Sequence, residues 1–417
     1  GGNLMTSADR NQRRRFLQQA SALAVTSAIA PRLTLGAEEQ EVLPTADAFI
    51  RGKDKRLMVH NAKVGEIETP LALLREKSLT PKELLFVRNN QVLPETLTTE
   101  AADAGDWQLE LTGLLDKSRK VRVADLAKLP QEKHEMVLQC SGNGRARFAK
   151  TVKADGVQWD GGAMGNVVFT GVRLKTALDH LGLTLKPEVK YITAEGMDVP
   201  TKPGDADFEH SIPLAVGLER SLLALSMNGE GIPKVHGGPL RLITPGFYAT
   251  MNVKWLSRLR FEAQESSNRH HVARYRTPLK PIAPGSKFTS TIENSEPNWN
   301  MRIKSTIFAP LAGEELAAGK FEVRGVAWND GTTKIDKVEI STDGGKTWRK
   351  AELKRPQSPY AWHPWALMIE LAAGETTILS RATDSEGHTQ PMDGSIAWNP
   401  AGYAWNGVDS VAVAVLN

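Results

Sequence analysis

A single cysteine, Cys140, stands among 417 residues, and that count closes more routes to a stable fold than any other feature of the chain. No intramolecular disulfide can form, so each domain must close on a hydrophobic core of its own. The same count excludes a multi-thiolate zinc site and a thiol redox pair, and the absence of a CxxCH run excludes covalently attached c-type haem. With 41% hydrophobic and 24% charged residues, the chain has material for two or three cores and does not read as disordered. A net charge of +4, without a dense basic block beyond Arg13-Arg14-Arg15, argues against a nucleic-acid partner.

The N-terminal run "NQRRRFLQQASALAVTSAIAPRLTLGAEEQ" opens on consecutive arginines and continues through an Ala-rich stretch to small residues. This pattern is similar to a twin-arginine export signal over residues 1–37, with Met5 as the natural start. The apolar run is too short and too weakly hydrophobic for a stable membrane span. That export route carries chains already folded, which places the mature protein in the periplasm from about Glu38 and favours a bound cofactor.

Residues 38–81 are mixed and charged and read as a wrapping segment with a short helix. Over 82–285, short apolar runs such as "ELLFVRNN", "DWQLELTG", "EMVLQC", "YITAEG" and "SLLALSMNG" alternate with turns and helical stretches such as "RLKTALDHLG". The expected class is α+β. Residues 286–302, rich in Pro, Ser and Asn, read as a linker. From 303 to 417 the pattern becomes alternating strands with hairpin signals at Asp343-Gly344-Gly345 and Ser385-Glu386-Gly387, an immunoglobulin-like sandwich without its disulfide.

Cys140 ends the apolar run "VLQC" and precedes Ser141-Gly142-Asn143-Gly144, whose glycines permit close backbone approach to a ligand. Arg145 and Arg147 follow; guanidinium groups near a thiol favour the thiolate. Three readings stand on these residues alone: a small buried hydrophobe, a Cys-His-Asn hydrolase using His134 or His236 with Asn143, or a metal thiolate. Other segments share the polar, glycine-rich character: Arg88, Asn89 and Asn90 close one apolar run, and His236, Arg241, Asn252 and Lys254 surround a Gly/Pro-rich loop. Together they describe a binding site for an anionic cofactor, rich in bidentate donors.

Several ordered motifs then resemble the sulfite oxidase family of molybdenum enzymes in its bacterial, exported, haem-free branch. "FVRNN" is similar to the family's F-V-R-N-H segment, "LQCSGNGR" to L-Q-C-x-G-N-x-R, "HGGPLRLITPG" to H-G-x-P-x-R-x-x-x-P-G, and "NVKWL" to V-K-W-L. "WDGGAMGNVVFTGVRL" and the C-terminal "STDGGKTWRKA" and "SRATDSEGHTQP" extend the likeness over more than the first domain. The resemblance implies a molybdopterin domain followed by an immunoglobulin-like dimerisation domain, with Cys140 as the protein's ligand to molybdenum and one molybdopterin per chain. It implies that Phe86, Val87, Arg88, Asn89, Asn90, Asp198, His236, Arg241, Asn252, Val253 and Lys254 hold the pterin and its phosphate. It further implies that Arg88, Arg145, Trp159 and Tyr275 surround the substrate oxyanion. Two departures stand out: Asn90 replaces the family's histidine, and His363 in "YAWHPW" stands where a substrate-pocket arginine is expected.

The activity so implied is oxidation of sulfite to sulfate, with electrons passed to an external c-type cytochrome and a homodimer formed through the C-terminal domain. A relative acting on sulfoxides or sulfane sulfur is the rival enzyme. A non-catalytic periplasmic anion-binding module is the rival outside enzymes.

Overall fold

The computed structural model describes residues 50–75, 77–92, 104–200 and 204–417; the export signal expected at 1–37 lies outside them. Among the described residues no helix is long and apolar enough to cross a membrane.

Two sheets build the first domain. In one, Met164–Arg173 lies between Glu132–Gln139 and Leu222–Met227, antiparallel to both, and Arg241–Ile243 pairs with Leu222–Met227. The sequence of the central strand, MGNVVFTGVR, is buried along almost its whole length, as a strand covered on both faces must be. The second sheet runs in the order Arg119–Arg122, Gln108–Gly113, Leu256–Glu262, Tyr191–Gly196, Glu209–Pro213, with one parallel pair between Gln108–Gly113 and Leu256–Glu262. Short helices Leu174–His180 and Leu214–Arg220 give their apolar sides to the core around Leu109, Leu111, Ile192, Leu259 and Phe261.

Lys304–Ala309, Gly319–Trp328, His363–Leu371 and Glu352–Leu353 form one sheet of the C-terminal sandwich. Its partner sheet is Glu315–Ala317, Asp409–Leu416, Gly374–Asp384, Ile335–Ser341 and Arg349–Lys350. The last long strand, DSVAVAVL, alternates buried and exposed positions with period two, the mark of a half-covered strand. The class is α+β followed by an all-β sandwich, as the sequence pattern leads one to expect.

Three local expectations change. "ELLFVRNN" is not a strand: Leu84 and Leu85 both donate to the Pro81 carbonyl at 3.0 Å in a turn, and only Val87 bridges to Ile67. The apolar residues there are buried from several sides, which removes the need for a pleated face. Residues 286–302 are not a bare tether, since Ser295–Pro297 pairs with Arg276–Pro278 and the Trp299 indole donates to the Ser211 carbonyl at 2.9 Å. The wrapping segment adds a strand pair, Met58–Asn61 with Glu66–Glu68, to the expected short helix, Leu71–Leu74.

The sandwich holds the end of the Glu132–Gln139 strand directly. Trp328 Nε1 donates to Gln139 Oε1 at 2.7 Å, Ala404 N–H to the Ser141 carbonyl at 2.8 Å, and Lys304 Nζ to the Asn143 carbonyl at 3.3 Å. Arg147 pairs with Asp409, whose other oxygen accepts from Ile307 N–H at 2.7 Å. Arg147, grouped with Arg145 by the sequence, is instead a clamp between the domains.

Candidate functional site

Cys140 leaves the Glu132–Gln139 strand with its N–H on the Ala163 carbonyl at 2.9 Å and its Sγ accepting from Gly142 N–H at 3.4 Å. It is 4% exposed. Burial pushes the thiol upward, and Arg88 and Arg145 pull it back. Gly142 is required here, because a Cβ at that position would stand 2.4 Å from the Arg145 guanidinium.

The loop opposite is floored by Glu68. Its Oε1 accepts from three successive backbone N–H groups, Asp160, Gly161 and Gly162, at 2.9, 3.0 and 2.8 Å. Such a charge-assisted cluster fixes a loop more firmly than neutral bonds do. Asn143 Oδ1 accepts from Ala163 N–H at 3.0 Å, so the cysteine loop and the glycine loop form one rigid unit.

Cys140 faces a cavity of about 620 Å³. Phe86, Arg88, Asn89, Asn90, Asp198, His236, Arg241, Asn252, Val253, Lys254 and Tyr275 line it together with Phe208, Thr250 and Trp255. Val87 does not line it; its backbone is bridged to Ile67 and its side chain packs with Leu57 and Trp255.

The cavity collects basic groups with little to neutralise them, and Lys53 stands behind one of them, His236. Lys254 Nζ donates to Asn89 Oδ1 at 2.7 Å and the Val235 carbonyl at 2.8 Å; burial holds it well below the usual ammonium range, with Arg241 adding repulsion and Asp198 opposing. Gly237 makes room for it at φ +99, since a Cβ there would meet the Lys254 side chain at 2.6 Å. Arg241 donates to the Asn252 and His236 carbonyls at 2.9 Å each, and burial lowers it to about 9. His236 is pushed well down by burial and by Lys53, whose Nζ lies 2.9 Å from its Nε2. Lys53 itself falls to about 7 through burial, with Glu83 opposing. Asp198, the carboxylate among the lining residues, is raised by burial to about 7. Asn89 Nδ2 is buried without a partner.

Asn252 serves as scaffold: Oδ1 accepts from Thr244 N–H at 2.6 Å, and Nδ2 reaches the Phe247 and Tyr248 carbonyls at 3.4 Å. Sequence reasoning missed Lys53, which lies in an irregular charged segment far from any motif.

Above the cavity lies an open hollow of about 1040 Å³ that shares Arg88, Asn90 and Tyr275 with it and adds Arg274 and Tyr403. Arg88 forms an ion pair with Glu66 at 3.2 Å. Burial works against its charge, but Tyr275, Glu66 and Cys140 outweigh it and raise its pKa. Tyr275 is 4% exposed and adopts φ +55. A left-handed backbone at an aromatic residue is strain that the surrounding packing must hold. Its ring stacks on Tyr403 with centroids 5.2 Å apart, so the sandwich domain supplies one wall of the hollow. Nothing in the sequence near Tyr403 signals this.

Three residues expected around the substrate are placed elsewhere. Arg145 spends Nε on the Ala401 carbonyl at 2.6 Å and Nη1 on the Val157 carbonyl at 2.7 Å, behind the Tyr403 ring at 5.5 Å. It acts on Cys140 through charge and does not line the cavity. Trp159 is fully buried beneath Cys140, edge-on to His60 at 5.0 Å. His363 opens a sandwich strand, paired with Ala327, with Nδ1 on the Ala361 carbonyl at 3.1 Å. Burial lowers its pKa, and its place on the strand sets it away from the cavity where the sequence puts a substrate-pocket arginine.

Comparison with known proteins matches these features. The oxidoreductase molybdopterin binding domain family matches residues 96–270, and the Mo-co oxidoreductase dimerisation domain family matches residues 295–415. Sulfite oxidase of Gallus gallus is 30% identical over 389 residues, covering 89% of this chain and 82% of that protein. Mitochondrial sulfite oxidase of Homo sapiens is 30% identical over 383 residues, covering 89% and 68%. Among solved structures, the sulfane dehydrogenase SoxCD from Paracoccus pantotrophus superposes with a TM-score of 0.71 at 25% identity, over 94% of this chain and 98% of that one.

Proposed function

This chain belongs to the sulfite oxidase family of molybdoenzymes, and from that premise we propose that it oxidises sulfite to sulfate and passes the electrons to a c-type cytochrome. The observation that carries the reading is a buried thiol facing a cavity lined by Lys254, Arg241, His236 and Arg88, with Asp198 as the carboxylate among its lining residues. Basic groups buried without enough counter-charge are pushed toward their neutral form, and an anion that pairs with them restores the charge. The pterin's phosphate is such an anion, and the unpartnered Asn89 Nδ2 is a further donor for it. The residues therefore fit the group.

Cys140 would be the protein's ligand to the metal, its thiolate favoured once a cation replaces the proton. Lys254, Arg241, His236 and Lys53 would hold the phosphate end. When bound, the molybdenum–molybdopterin supplies oxygen-atom transfer and two-electron storage. Arg88 binds the oxyanion at the junction of cavity and hollow, and the Tyr275–Tyr403 stack excludes water from its flank. The Arg13-Arg14-Arg15 segment supports periplasmic action after export of the folded chain, and the dimerisation domain supports a homodimer.

The test is sulfite-dependent reduction of cytochrome c by molybdenum-replete protein beside Cys140→Ser. The substitution is expected to lower turnover by more than the about 100-fold typical of residues that merely support a metal ligand. Full turnover in the variant would exclude the thiolate role. The breadth of the outer hollow supports a second reading, oxidation of sulfane sulfur carried on a peptide. Faster turnover of a persulfide-bearing peptide than of sulfite would favour it.

A further inference from the structure

Asn90 touches both Arg88 and Tyr275, side chains that the proposed function sets beside the oxyanion. Its Oδ1 accepts from Arg88 Nη2 at 2.8 Å, and its Nδ2 donates to the Tyr275 hydroxyl oxygen at 2.5 Å. Chemistry fixes which way the amide points. A guanidinium carries donors only, so it must face the amide oxygen; the flipped amide would set donor against donor. The NH₂ group then has to face Tyr275, and the phenol oxygen is the acceptor in that bond.

One consequence concerns the phenol's proton, which is not spent on Asn90 and remains available to another acceptor. Tyr275 cannot swing away to find one at the surface. Its backbone is held at φ +55, its ring is stacked on Tyr403, and His210 stands edge-on at 5.4 Å.

We propose that Asn90 is a positioning residue that aims the Tyr275 hydroxyl as a donor toward the oxyanion and, through the same amide, holds Arg88 beside it. This rests on the sulfite-oxidising reading, because sulfite and sulfate are the oxyanions concerned. Asn90 moves no proton or electron itself. An amide does not titrate, so the arrangement is the same from pH 5 to 8, the range of about three units in which an imidazole would gain or lose charge.

Asn90→Asp keeps the shape and reverses the bonding. A carboxylate accepts only, so it accepts a hydrogen bond from the Tyr275 hydroxyl and draws Arg88 away from the substrate. In the molybdenum-loaded enzyme, Tyr275→Phe is expected to lower kcat/KM about 100-fold, the usual cost of one donor to a developing oxyanion. In the Asn90→Asp background the same substitution should cost less than about threefold, because the donor is already lost. Asn90→Asp should also weaken sulfate binding about tenfold, a typical effect of a charged neighbour on an anion site. Asn90→Leu, which removes both bonds without adding charge, should show the same loss of dependence on Tyr275.

A readout independent of turnover is the tyrosine ring doublet in ultraviolet resonance Raman, taken as the difference from Tyr275→Phe. It should report an acceptor hydroxyl bonded to the amide in wild type and a donor to carboxylate in Asn90→Asp. Multiplicative effects of Asn90→Leu and Tyr275→Phe, or an unchanged doublet in Asn90→Asp, would overturn the proposal. Wild-type protein that fails to oxidise sulfite would strike the functional reading instead, and the Raman comparison would still decide the role of Asn90.

Discussion

In the sandwich, Glu339 stands between Lys337 and Arg381 at 3.0 Å each, and Arg381 lies 3.9 Å over the Trp348 ring. In the cavity, Lys254 stands among carbonyls with Arg241 and Lys53 as like-charged neighbours. Burial acts against Glu339, yet Lys337 and Arg381 hold its pKa down; burial acts against Lys254 and prevails. The sandwich group is matched as the domain folds. The cavity groups are buried with few partners, and this part of the molecule depends for some of its stability on what it binds.

The largest effect expected from this contrast is on cofactor removal. A ligand present at 1,000 times its Kd adds about 4 kcal/mol to the state that binds it. Hydrogen exchange on cofactor-free protein should accelerate at residues 86–90 and 236–254. Strands Gly374–Asp384 and Asp409–Leu416 should keep their protection. Equal acceleration in both regions would erase the contrast.

A second substitution tests where the two regions meet. Asp409→Ala strands the Arg147 charge and the Ile307 N–H together, and should cost about 3 kcal/mol in urea unfolding. Amide exchange at Gly142 to Arg145 should rise with it, although the altered residue lies in the last strand of the sandwich.

The pH dependence sharpens the contrast further. Lys53 titrates near 7 in the folded chain against an ordinary 10.5. Between those values the unfolded chain binds the extra proton, so stability rises with pH, by up to about 1.4 kcal/mol per unit. Lys304, also near 7 through burial, adds a slope of the same sign. Paired with an anion, Lys53 stays charged and its share disappears, whereas that of Lys304, on the domain interface, persists. Urea midpoints from pH 7 to 10 should therefore climb more steeply without cofactor than with it, and Lys53→Met should remove the difference. The smallest effect is Arg381→Ala, about 1 kcal/mol from the lost ring contact and surface pair, with kcat/KM for sulfite unchanged.

Much of this was legible in the chain itself. Cys140, Arg88, His236, Arg241 and Lys254 each close an apolar run or sit in or beside a glycine-rich loop, and such loops gather where strands end; Tyr275 came only from the family resemblance. Lys53, Glu68 and Tyr403 were not legible, because each acts on a partner distant in sequence and lies in a stretch without periodicity. His363 was misplaced because a motif gives its neighbours in sequence and not the direction in which its strand faces. "ELLFVRNN" was misread because four apolar residues in a row look alike whether a strand or a buried turn hides them.

Glu68 carries a last consequence, for anyone wishing to cut the catalytic unit down to a minimal piece. The family match begins at residue 96, yet the carboxylate under the glycine loop, the lysine beside His236, and the segment from Phe86 to Asn90 all precede it. A fragment trimmed to the matched region would keep the thiol and lose its floor. The boundary drawn by the domain-family match is thus not the boundary of the working part.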